Sequence, residues 1–248
     1  MNCPICKSNK TTKIYSKFPG YVEGTHYDIF NCVTCDTQFI PARHLNMKIY
    51  DLIYSQKNSG DYSRYFRYVQ EVKNHKNPLK FLSQEEPTFY PIYQLLKKNK
   101  AKLKILEVGC GCGYLTYALN QMGHHTIGID VSKTAIEYAK SQFGNNFYLT
   151  SLEKFNKSEK FDLIIATEVI EHLDDSMEFI SLCINLLNQG GKIVLTTPNK
   201  DYAPKKAIWH TALPLVHTLW FSKNSFRFIA KLCYPETGLH HETSLHFK

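Results

Sequence analysis

No run of eighteen apolar residues occurs in the chain, which excludes a helix that spans a bilayer. The opening residues, MNCPICKSNK, lack the apolar core of a secretory signal, so the expected location is the cytoplasm. Internal repeats and low-complexity tracts are also missing, which leaves globular domains as the organising units. The second part of the chain has no excess of either charge: residues 105–248 hold 13 Lys/Arg against 14 Asp/Glu.

What is present is ordinary in bulk and uneven in detail. With 248 residues, 43% of them hydrophobic and 21% charged, the chain suffices for one α/β domain plus an appendage. Residues 1–104 carry 17 Lys/Arg against 8 Asp/Glu, so the net charge of +8 is concentrated there. That bias suits an anionic partner such as a nucleotide-sugar, a phosphorylated glycan or RNA, and equally a solvated lysine-rich surface. Eight cysteines in a reducing compartment, two pairs of them in C-x-x-C spacing, point to metal rather than disulfides.

Three regions follow from the pattern: a cysteine-bearing module over 1–40, a tyrosine-rich helical linker or cap over 41–100, and a strand–helix alternation over 101–248. In the linker, YDLIYS, DYSRYFRYVQEVK and FYPIYQLLKK read as helical pieces, with Pro78, Pro87 and Pro91 as interruptions. Short apolar runs predict strands at Lys104–Val108, Thr126–Ile129, Phe147–Leu149, Phe161–Ala166 and Gly191–Thr196. Their near-continuous hydrophobicity marks strands buried on both faces. Helical periodicity predicts Tyr114–Met122, Lys133–Phe143 and Met177–Leu187, the last ended by the turn Asn188–Gly191. The expected fold is a doubly wound, mostly parallel, Rossmann-like α/β sheet preceded by a small zinc ribbon.

The first strand runs into Glu107-Val108-Gly109-Cys110-Gly111-Cys112-Gly113, where alternating glycines allow a sharp turn and close ligand approach. Alone, G-x-G-x-G could equally announce a dinucleotide site. Asp130, about twenty residues on at the end of the second strand, adds a carboxylate placed to accept ribose hydroxyls. EVGCGCGYL with GIDVSKTAIEYAK, and then FDLIIATEVIEHLDD and GGKIVLTTPN, resemble four motifs of the class I S-adenosylmethionine-dependent methyltransferases over roughly residues 104–232. The resemblance implies S-adenosylmethionine as cofactor, with Gly109, Gly111 and Gly113 under its methionine and ribose. It implies Glu107 near the amino group, Asp130 on the ribose, Ser151 and Leu152 at adenine, and backbone groups of Thr167 at the methionine end. Ser151 stands where the family usually has aspartate.

Cys3, Cys6, Cys32 and Cys35 give C-x2-C-x25-C-x2-C, a tetrahedral thiolate set suited to structural zinc, with no position left open for catalysis. The runs Lys13–Phe18 and His26–Phe30 predict a hairpin between the pairs. Cys110, Cys112, Cys183 and Cys233 read as small buried residues. This layout resembles sugar methyltransferases of surface-polysaccharide and antibiotic clusters. It fits less well the ribosomal-RNA methyltransferases with an N-terminal zinc finger.

Methyl transfer to a hydroxyl needs alignment and a proton acceptor. His172, within Glu168-Val169-Ile170-Glu171-His172, and His217 are candidate bases, with Glu171 beside the first, while His210 reads as a surface residue. Glu168, Glu171 and His172 also resemble the E-x-x-E-H cluster of ubiquinone-pathway O-methyltransferases and of plant small-RNA 3′-end methyltransferases, which implies a second, divalent cation with Asn199 as a further ligand. On a helix these side chains would share one face. The apolar stretch AIWHTALPLVHTLWF is expected to be a substrate lid, with a dimer face or membrane-surface helix as alternatives. The expected acceptor is a sugar-containing small molecule methylated on O or N. The alternatives are RNA gripped by the ribbon and a metal-assisted acceptor of the ubiquinone type. After the last helix the family adds two antiparallel strands, for which only Cys233–Lys248 remains.

Overall fold

The computed structural model of the protein describes residues 1–41, 63–99, 101–155, 158–202 and 213–233. They divide into two compact units. One draws on Met1–Asn46, Ile170–Ser181 and Thr197–Lys248, the other on Met47–Val169 and Leu182–Thr196.

The second unit holds a five-stranded sheet made from β4 (Lys104–Val108), β5 (His125–Asp130), β6 (Phe147–Leu149), β7 (Phe161–Thr167) and β8 (Leu187–Thr196), in spatial order β6-β5-β4-β7-β8. Every pairing in it is parallel. Chain order reverses between β4 and β7, and ligands of such sheets bind at that switch point, beyond the carboxyl ends of the strands. Strands buried on both faces need continuous apolar sequence, and Ile105, Leu106, Ile164 and Ile165 are fully buried.

Ahead of this sheet come α1 (Ser63–Glu71), α2 (Pro78–Glu85) and α3 (Tyr90–Leu96). They pack into the core of this unit. Tyr68, Leu79, Leu82, Ile92 and Leu96 share one buried cluster with Ile105, Leu163, Ile165 and with Leu115 and Leu119 of α4 (Tyr114–Gln121). The three prolines start helical turns instead of interrupting them: Pro78, Pro87 and Pro91 each sit in the first two positions. There the missing N–H has no intrahelical partner to lose. Asn77 caps α2 by accepting from the Lys80 N–H at 2.9 Å. YDLIYS lies outside the described residues.

α5 (Lys133–Phe143) is capped by Ser132 and closes at Gly144. α6 (Ser176–Asn185) stops earlier than expected, and β8 begins at Leu187 rather than Gly191. The reason is a bulge. Phe161 pairs with Leu187 and Leu163 with Lys192, and Gly190 takes φ +77° between them. Asn188 donates to Asp162 at 2.8 Å and holds the excursion against β7.

The first unit contains the expected hairpin, β1 (Thr11–Pro19) antiparallel to β2 (His26–Cys32), followed by β3 (Gln38–Phe39). The sheet continues into β9 (Leu219–Trp220), which pairs antiparallel with β3, Gln38 opposite Trp220 and Phe39 opposite Leu219. The described end of the apolar stretch is therefore a strand of the ribbon sheet rather than a lid, with Leu219 fully buried. Trp209 and His210 lie outside the described residues. α7 (Lys223–Cys233) closes the described chain, and residues 234–248, where the family's two further strands would have to fall, lie outside the described residues. Among the described residues no helix is long and apolar enough to cross a membrane.

Candidate active site

β4 delivers Glu107 and Val108 to the switch point, and the chain then turns through Gly109–Gly113 into α4. The turn is tied to the end of β5. The Gly109 and Cys110 N–H groups donate to the Ile129 carbonyl at 2.8 and 3.0 Å, and the Gly111 N–H donates to Asp130 Oδ2 at 2.8 Å. Asp130 Oδ1 accepts from the Ser132 N–H at 2.8 Å. Burial raises the Asp130 pKa, and these amide bonds oppose the rise. A carboxylate has about four acceptor sites, so Asp130 can brace the turn and still receive ribose hydroxyls.

Two glycines are obligatory here. Gly109 has φ +74°, and a Cβ on it would lie 2.4 Å from Val169 Cγ2. Gly113 has φ +82°, and a Cβ there would lie 2.6 Å from Phe147 and 2.8 Å from Ala139, both held in the core. Left-handed backbone costs an L-residue about 1–2 kcal/mol and overpacking a further ~1–3. Gly113→Ala is expected to destabilise the protein by about 2–5 kcal/mol, read as a lowered denaturation midpoint with unchanged slope. A midpoint within error of the parent's would show that the turn adapts.

Glu107 lies under the turn, 2% exposed, and accepts a short hydrogen bond from the Thr116 hydroxyl of α4. Burial pushes its pKa up to about 8 against the opposing pull of the Thr116 bonds. A cavity of about 290 Å³ beside the turn is lined by Cys112, Ala135, Tyr138 and Phe66. After β6, Ser151 precedes a single 3-10 turn, Leu152–Lys154, with the Leu152 side chain buried. Thr167 ends β7. All the expected cofactor residues thus gather at the carboxyl ends of β4, β5, β6 and β7 within one unit.

Glu168, Glu171 and His172 do not share a helix face. Glu168 is left-handed at φ +55°, and its carboxylate accepts from Thr88 Oγ1 at 3.2 Å. Thr88 also meets Thr196 Oγ1 at 2.6 Å. Only Ile170–His172 forms a helical turn, of 3-10 type. Left-handed backbone costs a non-glycine residue on the order of 1–3 kcal/mol, so the surrounding contacts must hold Glu168 there. Thr88 and Thr116 escaped sequence reasoning, since isolated threonines carry no pattern.

His217 joins Glu171 and His172 instead, and their ligand atoms all lie within 4.8 Å of one another. The two imidazoles meet edge to face, centroids 4.7 Å apart, and His172 Nε2 lies 3.9 Å from Glu171 Oε1. His172 Nδ1 sits 2.5 Å from the Val216 carbonyl. A carbonyl only accepts, so Nδ1 carries a proton and Nε2 is the nitrogen turned toward the cluster. His217 is held neutral, its pKa well below the usual range through burial and the adjacent His172. Its Nδ1 is buried with no hydrogen-bond partner among the described residues. Two imidazole lone pairs and a buried carboxylate form a donor set that suits either a shared proton or a divalent cation. Asn199 pairs with Phe221 through a parallel bridge, and its Oδ1 accepts from the Asp201 N–H at 3.0 Å.

The four N-terminal cysteines also converge, all sulfurs within 4.8 Å, with Cys3–Cys35 at 3.5 Å and Cys6–Cys32 at 3.4 Å. A tetrahedral S4 zinc with ~2.3 Å bonds has edges of roughly 3.8 Å, which this set fits. Hydrogen bonds with Cys3 and Thr37 lower the Cys35 pKa, which favours its thiolate form. Cys110, Cys112 and Cys183 are buried and lie outside this set, as their small apolar reading implies, whereas Cys233, expected buried as well, is only half-buried because it falls in the last turn of α7.

A family model described as a methyltransferase domain matches residues 84–239, beginning inside α2. The ubiquinone biosynthesis O-methyltransferase of Bradyrhizobium diazoefficiens is 33% identical over 105 residues, covering 40% of this chain and 42% of that protein. That of Rhodopseudomonas palustris is 35% identical over the same length, with the same coverage. The chain thus spans less than half the length of these curated relatives. In fold it is similar to the plantazolicin methyltransferase BpumL solved in complex with SAH, with TM-score 0.50, 21% identity, and 76% of this chain and 77% of that one covered. The chain belongs to the methyltransferase-domain family, and its fold is that of the class I S-adenosylmethionine-dependent enzymes.

Proposed function

We propose that the chain transfers the methyl group of S-adenosylmethionine to an oxygen of a sugar-containing small-molecule acceptor, with His172 as the proton acceptor. The carrying observation is the fixed tautomer of His172: Val216 holds the Nδ1 proton and leaves Nε2 beside Glu171 and the neutral His217. In the cofactor half of the reading, Gly109–Gly113 cradle methionine and ribose, Glu107 takes the ammonium, Asp130 the ribose hydroxyls, and Ser151 and Leu152 the adenine. Structural zinc sits on Cys3, Cys6, Cys32 and Cys35. The acceptor class is supported by the ribbon layout and by the 17 Lys/Arg against 8 Asp/Glu of residues 1–104, which suit a phosphate-bearing substrate.

A second reading keeps the cluster and changes its occupant. Glu171, His172 and His217 would hold a divalent cation, which would supply Lewis-acid activation of the acceptor hydroxyl. It is favoured by the identity with ubiquinone biosynthesis O-methyltransferases and by the burial of Glu171, 1% exposed.

Transfer of labelled methyl groups to nucleotide-sugars, a catechol and total RNA, each with and without a weak chelator, tests both. Labelling of nucleotide-sugars that survives chelation is the expected result. Labelling of the catechol that chelation abolishes would establish the second reading. Labelled RNA, lost steeply with salt, would replace the acceptor in both.

A further inference from the structure

The ribbon sheet is completed by the segment that carries His217. The path is short. Cys35 is followed by Asp36, Thr37 and β3, and β3 pairs with β9 through Phe39 and Leu219. Directly after β3 the Ile40 N–H donates to the Thr218 carbonyl at 3.1 Å. Thr218 in turn donates to the Glu171 carbonyl twice, from its N–H at 3.0 Å and its hydroxyl at 3.2 Å. Thr218 lies between His217 and Leu219, so one residue couples the ribbon edge to both Glu171 and His217. Ile40 is fully buried and Thr218 nearly so.

A second tie runs from the cysteine knuckle itself. Asp36, left-handed at φ +59° directly after Cys35, accepts from Lys200 Nζ at 2.9 Å. The Lys200 side chain is 12% exposed, and its backbone N–H donates to the Phe221 carbonyl at 2.9 Å. Asn199, next in the chain, bridges to Phe221 as well. The knuckle therefore holds the 217–221 segment at both ends: through β3 at Thr218 and Leu219, and through Lys200 at Phe221.

We infer that the four-cysteine knuckle is a positioning device for the His172–His217–Glu171 cluster, acting through Thr218 on one side and the Asp36–Lys200 pair on the other. With the knuckle closed, β3 presents a fixed edge to β9, and the imidazole of His217 is placed by the backbone that β9 continues. Opening the knuckle frees the segment Cys32–Ile40 and with it the edge on which residues 218–220 rest. Lys200 and Asp36 touch no reacting group and act only through the backbone they anchor. The inference rests on the reading of the cluster as the acceptor-side machinery, but it is tested without it.

Amide hydrogen exchange, resolved by peptide, is measured on the full zinc-loaded chain, on the chain after zinc removal, and on zinc-loaded Asp36→Asn and Lys200→Met. The expected result is exchange at least tenfold faster in residues 213–222 after zinc removal and about threefold to tenfold faster in the two variants. Exchange in residues 104–108 and 161–167 stays unchanged. Turnover falls in parallel while the KM for S-adenosylmethionine holds, and Lys200→Arg restores both exchange and turnover. Unchanged exchange in 213–222 in all three samples would overturn the inference. Equal acceleration in 104–108 and 161–167 would overturn it too, by making the knuckle a general stabiliser. Loss of turnover on His172 replacement tests the reading beneath, so the two can fail separately.

Discussion

Replacing His172 by phenylalanine is expected to lower kcat by about 10²–10⁴, the range over which a positioned general base contributes. The KM and Kd for S-adenosylmethionine should hold, because every residue proposed to bind the cofactor belongs to the carboxyl ends of β4 to β7. His172→Gln keeps a donor toward the Val216 carbonyl but removes the basic nitrogen, and should lose nearly as much. This pair of variants separates proton transfer from packing. If Gln restored turnover to within threefold of the parent, His172 would be a structural residue and the acceptor would react without a base. Loss of His217 should be smaller in kcat and larger in stability, since that ring is fully buried against its neighbour.

The second large effect concerns Glu107, and its sign is set by the direction of its shift. Its pKa is raised from 4.5 to about 8 by burial, so the fold favours the neutral acid. The stability this contributes is fully present below pH 4.5 and is lost as pH rises through 8. The cofactor-free protein should therefore weaken steadily over that window, by on the order of 4 kcal/mol. Binding of an ammonium reverses the preference and expels the proton. At pH 7 about 0.9 proton should leave Glu107 per cofactor bound, and affinity should rise about ninefold from pH 6 to pH 7, flattening above that as the cofactor's own amino group loses its charge. Calorimetry in buffers of different ionisation enthalpy reads the proton count. Glu107→Gln should bring the count close to zero and flatten both profiles. A count near zero in the parent would mean that Glu107 is already ionised or that the ammonium binds elsewhere.

The large sheet was legible because its signal is local. Each strand is a short apolar run, and a strand buried on both faces tolerates little else. The glycine turn and Asp130 were legible for the same reason, since close backbone approach demands glycine at fixed spacing. The four cysteines declared themselves by pairwise spacing, and the hairpin between them by its turn-bounded runs. What escaped depends on distance along the chain. The pairing of Phe39 with Leu219 leaves no mark in either segment, so β9 read as a lid. Glu168, Glu171 and His172 looked like one helical face because spacing alone assumes regular helix, whereas Glu168 is left-handed. His217 joined the cluster in its place through the Val216 and Thr218 backbone, which no spacing rule relates to residue 171. The prolines were misread as breaks since their effect depends on position, harmful inside a helix and favourable at its first turn.

The pairing of β3 with β9 also bears on how the chain is made. During synthesis the ribbon hairpin emerges before the parallel sheet, but the strand that covers its β3 edge leaves the ribosome only after residue 220, when the whole parallel sheet has already been translated. Until then the short β3 edge is open to any other extended segment nearby, including the same edge of a neighbouring nascent chain. Contacts of such sequence separation form late and slowly. Early metal capture by the two cysteine pairs would keep that waiting edge in register, so metal supply should govern the yield of correctly assembled protein more than the lifetime of protein already made.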